Sequence, residues 1–376
     1  MGRQSVFLLG VLAFFIYVGT RIASGIGTLP TVVLMLLLFA GIGGYRSIHG
    51  LKKKWAKQIL LTAVHLEMAF LSFLLAFVLI RDLVFFPLSY WKPEVSAIAF
   101  GWEGTLALLV LSALALVLGV LIARAGPRIV RVQIPIKNLP AEFEGFSIAQ
   151  ISDLHVSGST APSFVERVVE KTIALKPSMV ALTGDIGDGH IEESRETLKP
   201  LSRLKTETTF GSFYVTGNHE FYWNGPIWIE AFASLGMKTL LNTSETIAVG
   251  AQKMLIAGIL DPASQMAFPG GKPDPKLALK SAESGATFPK ILLAHQPGIA
   301  ATASELGFDL QLSGHTHAGQ FFPWTLIIGR VHEFANGLGK KANMWVYVNP
   351  GTGSWGPPVR LGSRTEITLL SLTREG

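Results

Sequence analysis

The chain has 376 residues, of which 49% are hydrophobic and only 15% charged, with a formal net charge of +6. Soluble globular domains carry about 25% charged residues, so this length and a mean hydropathy of +0.41 exclude a single soluble domain. There is no cysteine, which excludes disulfides, thiolate nucleophiles and Cys-based zinc sites.

The missing charge is concentrated in the first third. Four apolar runs precede residue 125, at 6–19, 26–45, 59–80 and 105–123. A bilayer core about 30 Å thick takes roughly 20 helical residues. The third and fourth runs meet that length; the first two are shorter or interrupted by glycine and read as a tight hairpin. We therefore expect an all-α transmembrane domain of about four helices over 1–125, then a linker over 126–144. Arg3 precedes the first run, but no small-x-small cleavage site follows it, so the run reads as retained.

Basic residues set the orientation. Arg46, Lys52, Lys53, Lys54 and Lys57 lie between the second and third runs, and Arg124, Arg128 and Arg131 follow the fourth. The other side carries Arg21, Arg81 and Lys92. The positive-inside rule places everything after residue 124 in the cytoplasm, with the bilayer as a partner. Phe85, Phe86, Tyr90, Trp91 and Trp102 fit an aromatic belt on the far side. His49 and His65 fall in this third and read as structural.

From residue 145 the pattern changes. Short apolar strands are expected at 146–151, 179–182, 212–216, 253–258, 290–294, 309–312, 345–348 and 366–370. Amphipathic helices intervene. One opens on Ser163-x-x-Glu166, read as a capping box, with Val165, Val168, Val169 and Ile173 on its inner face; another covers 192–204. Strands alternating with helices specify α/β layers over 145–376.

Five polar clusters each follow an expected strand: Asp153-Leu154-His155, Gly184-Asp185-Ile186-Gly187-Asp188, Gly217-Asn218-His219-Glu220, His295, and Gly314-His315-Thr316-His317. Sites in α/β folds form beyond the carboxyl ends of strands, so five clusters can meet in one cleft. Their nitrogen and oxygen donors suit Mn²⁺, Fe or Zn²⁺ rather than Ca²⁺. Any one cluster is an ordinary turn; the set in this order is not.

This order of DLH, GDIGD, GNHE, a lone His and GHTH resembles the calcineurin-like metallophosphoesterase family over 146–370. The stretches SDLH, YVTGNHE, LAHQP and SGHTHAGQ are similar to a bacterial branch with membrane-linked members, among them enzymes that cleave the pyrophosphate of UDP-2,3-diacylglucosamine. The resemblance implies a two-sheet sandwich flanked by helices, two divalent metal ions (Mn, Fe or Zn) and residence in the cell's inner membrane. It implies that Asp153, His155 and His317 hold one ion, that Asn218, His295 and His315 hold the other, and that Asp185 bridges them. A hydroxide between the two ions would attack phosphorus, with His219 protonating the leaving group and Asp188 orienting His219.

The implied substrate is a phosphate or pyrophosphate ester, lipid-linked or nucleotide-containing. The alternative is a phosphodiesterase on soluble or cyclic nucleotides, with the membrane part as tether. A non-catalytic scaffold would show a missing ligand, and none is missing. No basic stripe interleaved with stacking aromatics is present, so a nucleic-acid partner is not expected. The aromatic stretches at 221–223 with Trp228, and at 321–324, read as core and cleft walls in preference to a lipid groove. Glu220 reads either as a helix-start acid or as support for the ligands. His190 and His332 read as solvated, as do Arg360 and Arg364 in preference to facing a substrate phosphate.

Overall fold

A computed structural model describes residues 3–44, 47–48, 50–51, 53–281 and 287–375. Tyr45, Arg46, His49 and Lys52 lie outside the described residues. The chain divides into two compact units, one of Met1–Ile122 with Gly356–Leu361, the other of Ala123–Trp355 with Gly362–Gly376.

The first unit is helical: α1 (Arg3–Ile26), α2 (Thr28–Gly43), α3 (Lys54–Leu88), α4 (Pro93–Phe100) and α5 (Trp102–Arg124). Gly27, at φ +88°, makes the turn between α1 and α2, a backbone state that costs glycine little. Pro93 opens α4 in its first turn, where its missing N–H is not needed. Trp55–Leu88 and Trp102–Arg124 are long and apolar enough to cross a membrane; Leu12–Ile26 and Thr28–Gly41 are shorter apolar stretches. Among the described residues, two helices thus pass for spans by length and composition where about four were expected; α1 itself runs 24 residues and α2 16. Val18, Leu74, Val78 and Leu108 join α1, α3 and α5 in one buried cluster.

A polar knot lies in the same unit. Asp82 receives Arg21 (Nε to Oδ2, 2.7 Å), Arg81 (Nη2 to Oδ1, 2.9 Å) and the Tyr17 hydroxyl (2.9 Å). Arg81 is 5% exposed, a burial that is tolerated only because its charge is paired and hydrogen-bonded. Gly356–Leu361 belongs to this unit as well. The Arg360 N–H donates to the Gly119 carbonyl at 2.9 Å, and a Cβ on Gly119 would come within 2.5 Å of the Val359 side chain. Val359 and Arg360 are both fully buried. Arg360, expected to be solvated, is thus an interior residue; Arg364 is exposed.

The second unit holds two six-stranded sheets. The first has the order β1-β12-β2-β3-β4-β5 and the second β10-β11-β9-β8-β7-β6. Their ranges are β1 Arg128–Ile136, β2 Ser147–Ile151, β3 Met179–Thr183, β4 Ser212–Val215, β5 Lys238–Thr239, β6 Thr243–Val249, β7 Gln252–Gly258, β8 Lys290–Leu293, β9 Leu310–Ser313, β10 Gly337–Lys341, β11 Met344–Val348 and β12 Glu366–Arg374. The stretch expected as a linker therefore contains β1, which pairs in parallel with β12 from Arg128↔Glu366 to Ile136↔Arg374. Val130, Val132, Ile134 and Ile136 recur at the period of a strand with one covered face; Ile134 and Ile136 enter the core, with Val132 packed against it. The helix expected to start at a Ser163 cap instead runs Pro162–Ala174. Pro162 takes its first turn, and no side chain caps it.

Alternate strand residues face opposite layers. Ile148, Met179, Ala181, Phe213 and Val215 of the first sheet pack against Ile291, Leu293, Leu310 and Leu312 of the second. On the outer face of the first sheet, Ala149, Ile151, Val180 and Leu182 meet Val165, Val168, Val169, Trp228 and Phe232 of its helices. Leu292, Val346 and Val348 meet Ala278, Ala300 and Ala303 outside the second. The result is helices, sheet, sheet, helices. Polar ties cross the seam: Gln150 Nε2, bonded within its own sheet to Thr183 Oγ1 (2.9 Å), also donates to the Ser313 carbonyl (2.8 Å), and Tyr347 donates to Glu366 at 2.6 Å.

Candidate metal centre

The middle strands of both sheets end at one place. β2, β3 and β4 are parallel neighbours in the first sheet, and β8 and β9 are parallel neighbours in the second. The segment after each carries one of the five polar clusters. Asp153 and His155 follow β2, Asp185 follows β3, Asn218 follows β4, His295 follows β8, and His315 and His317 follow β9.

Donor atoms of Asp153, His155 and His317 lie within 4.8 Å of one another, as do those of Asp185, His295 and His315, and those of His155, Asp185 and His219. His155 Nε2 is 3.0 Å from His317 Nε2, and His317 Nε2 is 3.4 Å from Asp153 Oδ1. Asp185 Oδ2 lies 3.2 Å from His295 Nε2 and 3.9 Å from His155 Nε2. Asp185 thus adjoins a histidine from each expected ligand group. Asn218 is buried, and its Oδ1 has no hydrogen-bond partner among the described residues. A buried amide oxygen without a partner is costly and fits a cation ligand. The donor set, acidic and imidazole with one amide, suits a pair of transition dications.

The backbone is bent to achieve this. Asp153, His155, Asp185, His315 and His317 all have φ between 50° and 73°. Left-handed backbone at non-glycine residues costs on the order of 1–3 kcal/mol each and collects at functional sites. Supporting bonds hold the bends. The His315 N–H donates to both Asp153 oxygens (3.0 and 3.1 Å), and the His219 N–H donates to Asp185 Oδ1 (2.8 Å). His295 Nδ1 lies 2.8 Å from the Thr183 carbonyl, which directs Nε2 at Asp185. Gly314 has to be glycine here, since a Cβ would fall about 2 Å from Ser152 Oγ and Asp153 Oδ2.

Burial and charge decide protonation. Burial alone would raise Asp185, but the adjoining His295 outweighs it and holds the carboxyl below the usual carboxylate range. Burial raises Asp153. Burial, reinforced by the His295 charge, pushes His315 down to about 3, leaving the neutral imidazole that ligates metals.

Asp188 sits between two histidines. Its Oδ1 is 3.1 Å from His219 Nδ1 and its Oδ2 is 3.5 Å from His155 Nδ1. Burial would lower His219, but the Asp188 carboxylate beside it, helped by Asp185, prevails and raises it, so the imidazolium is favoured. The sequence pointed to the first of these pairings but not the second.

Glu220 answers to both readings: it is the acid in the first turn of the helix Asn218–Tyr222, and it supports the neighbouring loops. Its carboxylate accepts from the N–H groups of Asp185 (3.1 Å), Ile186 (2.7 Å), Gly187 (3.1 Å) and Gly217 (2.8 Å). It therefore ties the loop after β3 to the loop after β4. Burial and the Asp185 charge push its pKa up to about 7. Glu220→Ala would leave four buried donors without their acceptor. We expect a loss of at least about 3 kcal/mol, seen as a drop in melting temperature on the order of 10 °C.

Of the aromatic residues, Phe221, Trp228 and Phe321 are core, whereas Tyr222 and Trp324 are exposed. His190 is exposed as expected. His332 is only partly exposed, and its ring lies 5.7 Å from that of His315. Nothing in the sequence pointed to Trp355, whose ring lies 5.7 Å from that of His219.

Comparison with known proteins agrees with this geometry. Residues 146–319 match the family described as calcineurin-like phosphoesterase. A transmembrane protein with metallophosphoesterase domain from Danio rerio is 34% identical over 294 residues, covering 76% of this chain and 66% of that protein. An uncharacterized metallophosphoesterase of Helicobacter pylori is 35% identical, covering 66% of this chain and 64% of that protein. A further uncharacterized metallophosphoesterase, from Bacillus subtilis, is 31% identical over 243 residues, covering 62% of this chain and 81% of that protein. The chain spans between 57% and 66% of the length of the fish, nematode and cattle relatives. With the strand ends that carry the clustered donor residues inside the matched region, the chain belongs to the calcineurin-like metallophosphoesterases.

Proposed function

We propose that the protein is a membrane-anchored, metal-dependent hydrolase of phosphate or pyrophosphate esters. One observation carries the reading: the donor atoms of Asp153, His155 and His317, and those of Asp185, His295 and His315, gather within 4.8 Å at adjoining strand ends. Asp153, His155 and His317 would hold one ion, and Asn218, His295 and His315 the other, with Asp185 between them. These residues would hold dications whose chemistry, when bound, would be to activate a water at neutral pH and to offset charge on the phosphoryl oxygens. His219 stores a proton against Asp188 and delivers it to the leaving oxygen. Asp188 keeps the imidazole oriented, and through His155 it also steadies the metal side.

The helical unit is the anchor. Its four apolar helices form a multi-pass domain in the inner membrane, and the basic residues after α5 keep the hydrolase on the cytoplasmic side. Anchoring favours a lipid-linked substrate, since both would be confined to the same surface. Hydrolysis of soluble or cyclic nucleotides is the second reading, with the helices as tether.

The test is metal analysis of the purified full chain, followed by turnover of bis- and mono-p-nitrophenyl phosphate. We expect two equivalents of transition metal and hydrolysis that chelation abolishes and Mn²⁺ restores. Protein that binds no metal, or that is loaded and hydrolyses neither ester, would end the proposal.

A further inference from the structure

Two exposed aromatic rings adjoin His219. The Tyr222 centroid is 5.2 Å from the His219 ring and the Trp355 centroid is 5.7 Å away. Each side chain is about half exposed, 52% for Tyr222 and 54% for Trp355. Large apolar rings left open beside a buried polar centre lack a covering surface.

The placement of Trp355 is built, not incidental. Gln320, the last residue of the Gly314–Gln320 stretch that supplies His315 and His317, is 6% exposed. Its amide grips the Trp355 backbone at both ends: Nε2 donates to the Trp355 carbonyl at 2.8 Å, and Oε1 accepts from the Trp355 N–H at 3.0 Å. The Gln320 carbonyl in turn accepts from Ser363 Oγ, and Gln320 holds φ 58°, ψ −56°, a backbone state that persists only where its surroundings enforce it. The loop bearing two ligand histidines thus also fixes the position of Trp355.

We infer that Tyr222 and Trp355 form a stacking platform for a planar ring on the leaving group, such as a nucleobase or an aryl group, with Gln320 as the positioning residue for Trp355. The inference rests on the reading of His219 as the group that faces the leaving oxygen. A ring attached close to that oxygen would lie near both side chains, since each centroid is within 6 Å of the His219 ring. An extended acyl chain would gain little from two separate faces, whereas a flat ring gains stacking with each.

Stacking on a protein aromatic is worth roughly five- to a hundredfold in affinity per ring. The probes are phenylphosphonate, methylphosphonate and octylphosphonate, which resist hydrolysis. Binding is read by calorimetry on the Mn²⁺-loaded full chain in detergent. We expect phenylphosphonate to bind at least about fivefold more tightly than methylphosphonate. Trp355→Ala and Tyr222→Ala should each pull that ratio toward one, and Trp355→Phe should restore it. A ratio unchanged in Trp355→Ala overturns the platform. So does octylphosphonate outcompeting phenylphosphonate in a Trp355-dependent way, which would identify an acyl site. Because binding is read without turnover, a chain that keeps the ring preference but hydrolyses nothing would sink the hydrolase reading and leave the platform standing.

Discussion

Asp185→Ala is expected to lose bound metal and phosphoester hydrolysis together, each by at least about a hundredfold. Removing a group one layer outside a metal's ligands already costs 10–100-fold, and Asp185 is the carboxylate that adjoins histidines of both expected ligand groups. Its loss also removes the main counter-charge beside buried His295, and removes the acceptor for the His219 N–H. The defect should therefore not be rescued by raising the metal concentration tenfold. Metal content by mass spectrometry and turnover on the same preparation check this, with melting temperature as the control for folding. A variant that keeps both metals while losing turnover would show that Asp185 is not the link between the two halves.

His219→Ala should separate what Asp185→Ala joins. Metal content stays near that of the native protein, because the site retains Asp185, Asn218, His295 and His315 together with Asp153, His155 and His317. Turnover falls by about 10²–10⁴, the usual worth of a positioned proton donor. The loss should depend on the leaving group. A nitrophenolate departs without a proton, so its ester should lose least, while an alkyl ester that needs one should lose most. Equal losses on both esters would assign His219 to binding or positioning instead of proton transfer.

Much of this was legible in the chain. Strands buried on both faces read as short continuous apolar runs, and turn-forming glycines mark where β3, β4 and β9 end, so the strands bearing ligands emerged within a residue or two. The clustering was legible because each expected ligand residue lies directly after such a strand. β1 was missed because Arg128 opens it and Arg131, Gln133 and Pro135 occupy its outer face, so that its alternation resembles a polar connection. Glu220 stayed ambiguous because its role depends on four N–H groups from two loops, which no local pattern encodes. Trp355 and Gln320 were invisible for the same reason: they are 35 residues apart and meet only through the fold. Arg360 misled because an arginine between glycines and prolines looks like surface.

That last residue bears on how the molecule can be handled in the laboratory. A short stretch from the far end of the sequence, with Val359 and Arg360 fully enclosed, is packed among the helices of the amino-terminal third. Trimming away those helices to obtain a water-soluble enzyme would strip this stretch of its surroundings and expose a greasy side chain and a guanidinium that had been shut away. Such a fragment should express as aggregate, and replacing 356–361 with a polar loop is the repair that the architecture recommends.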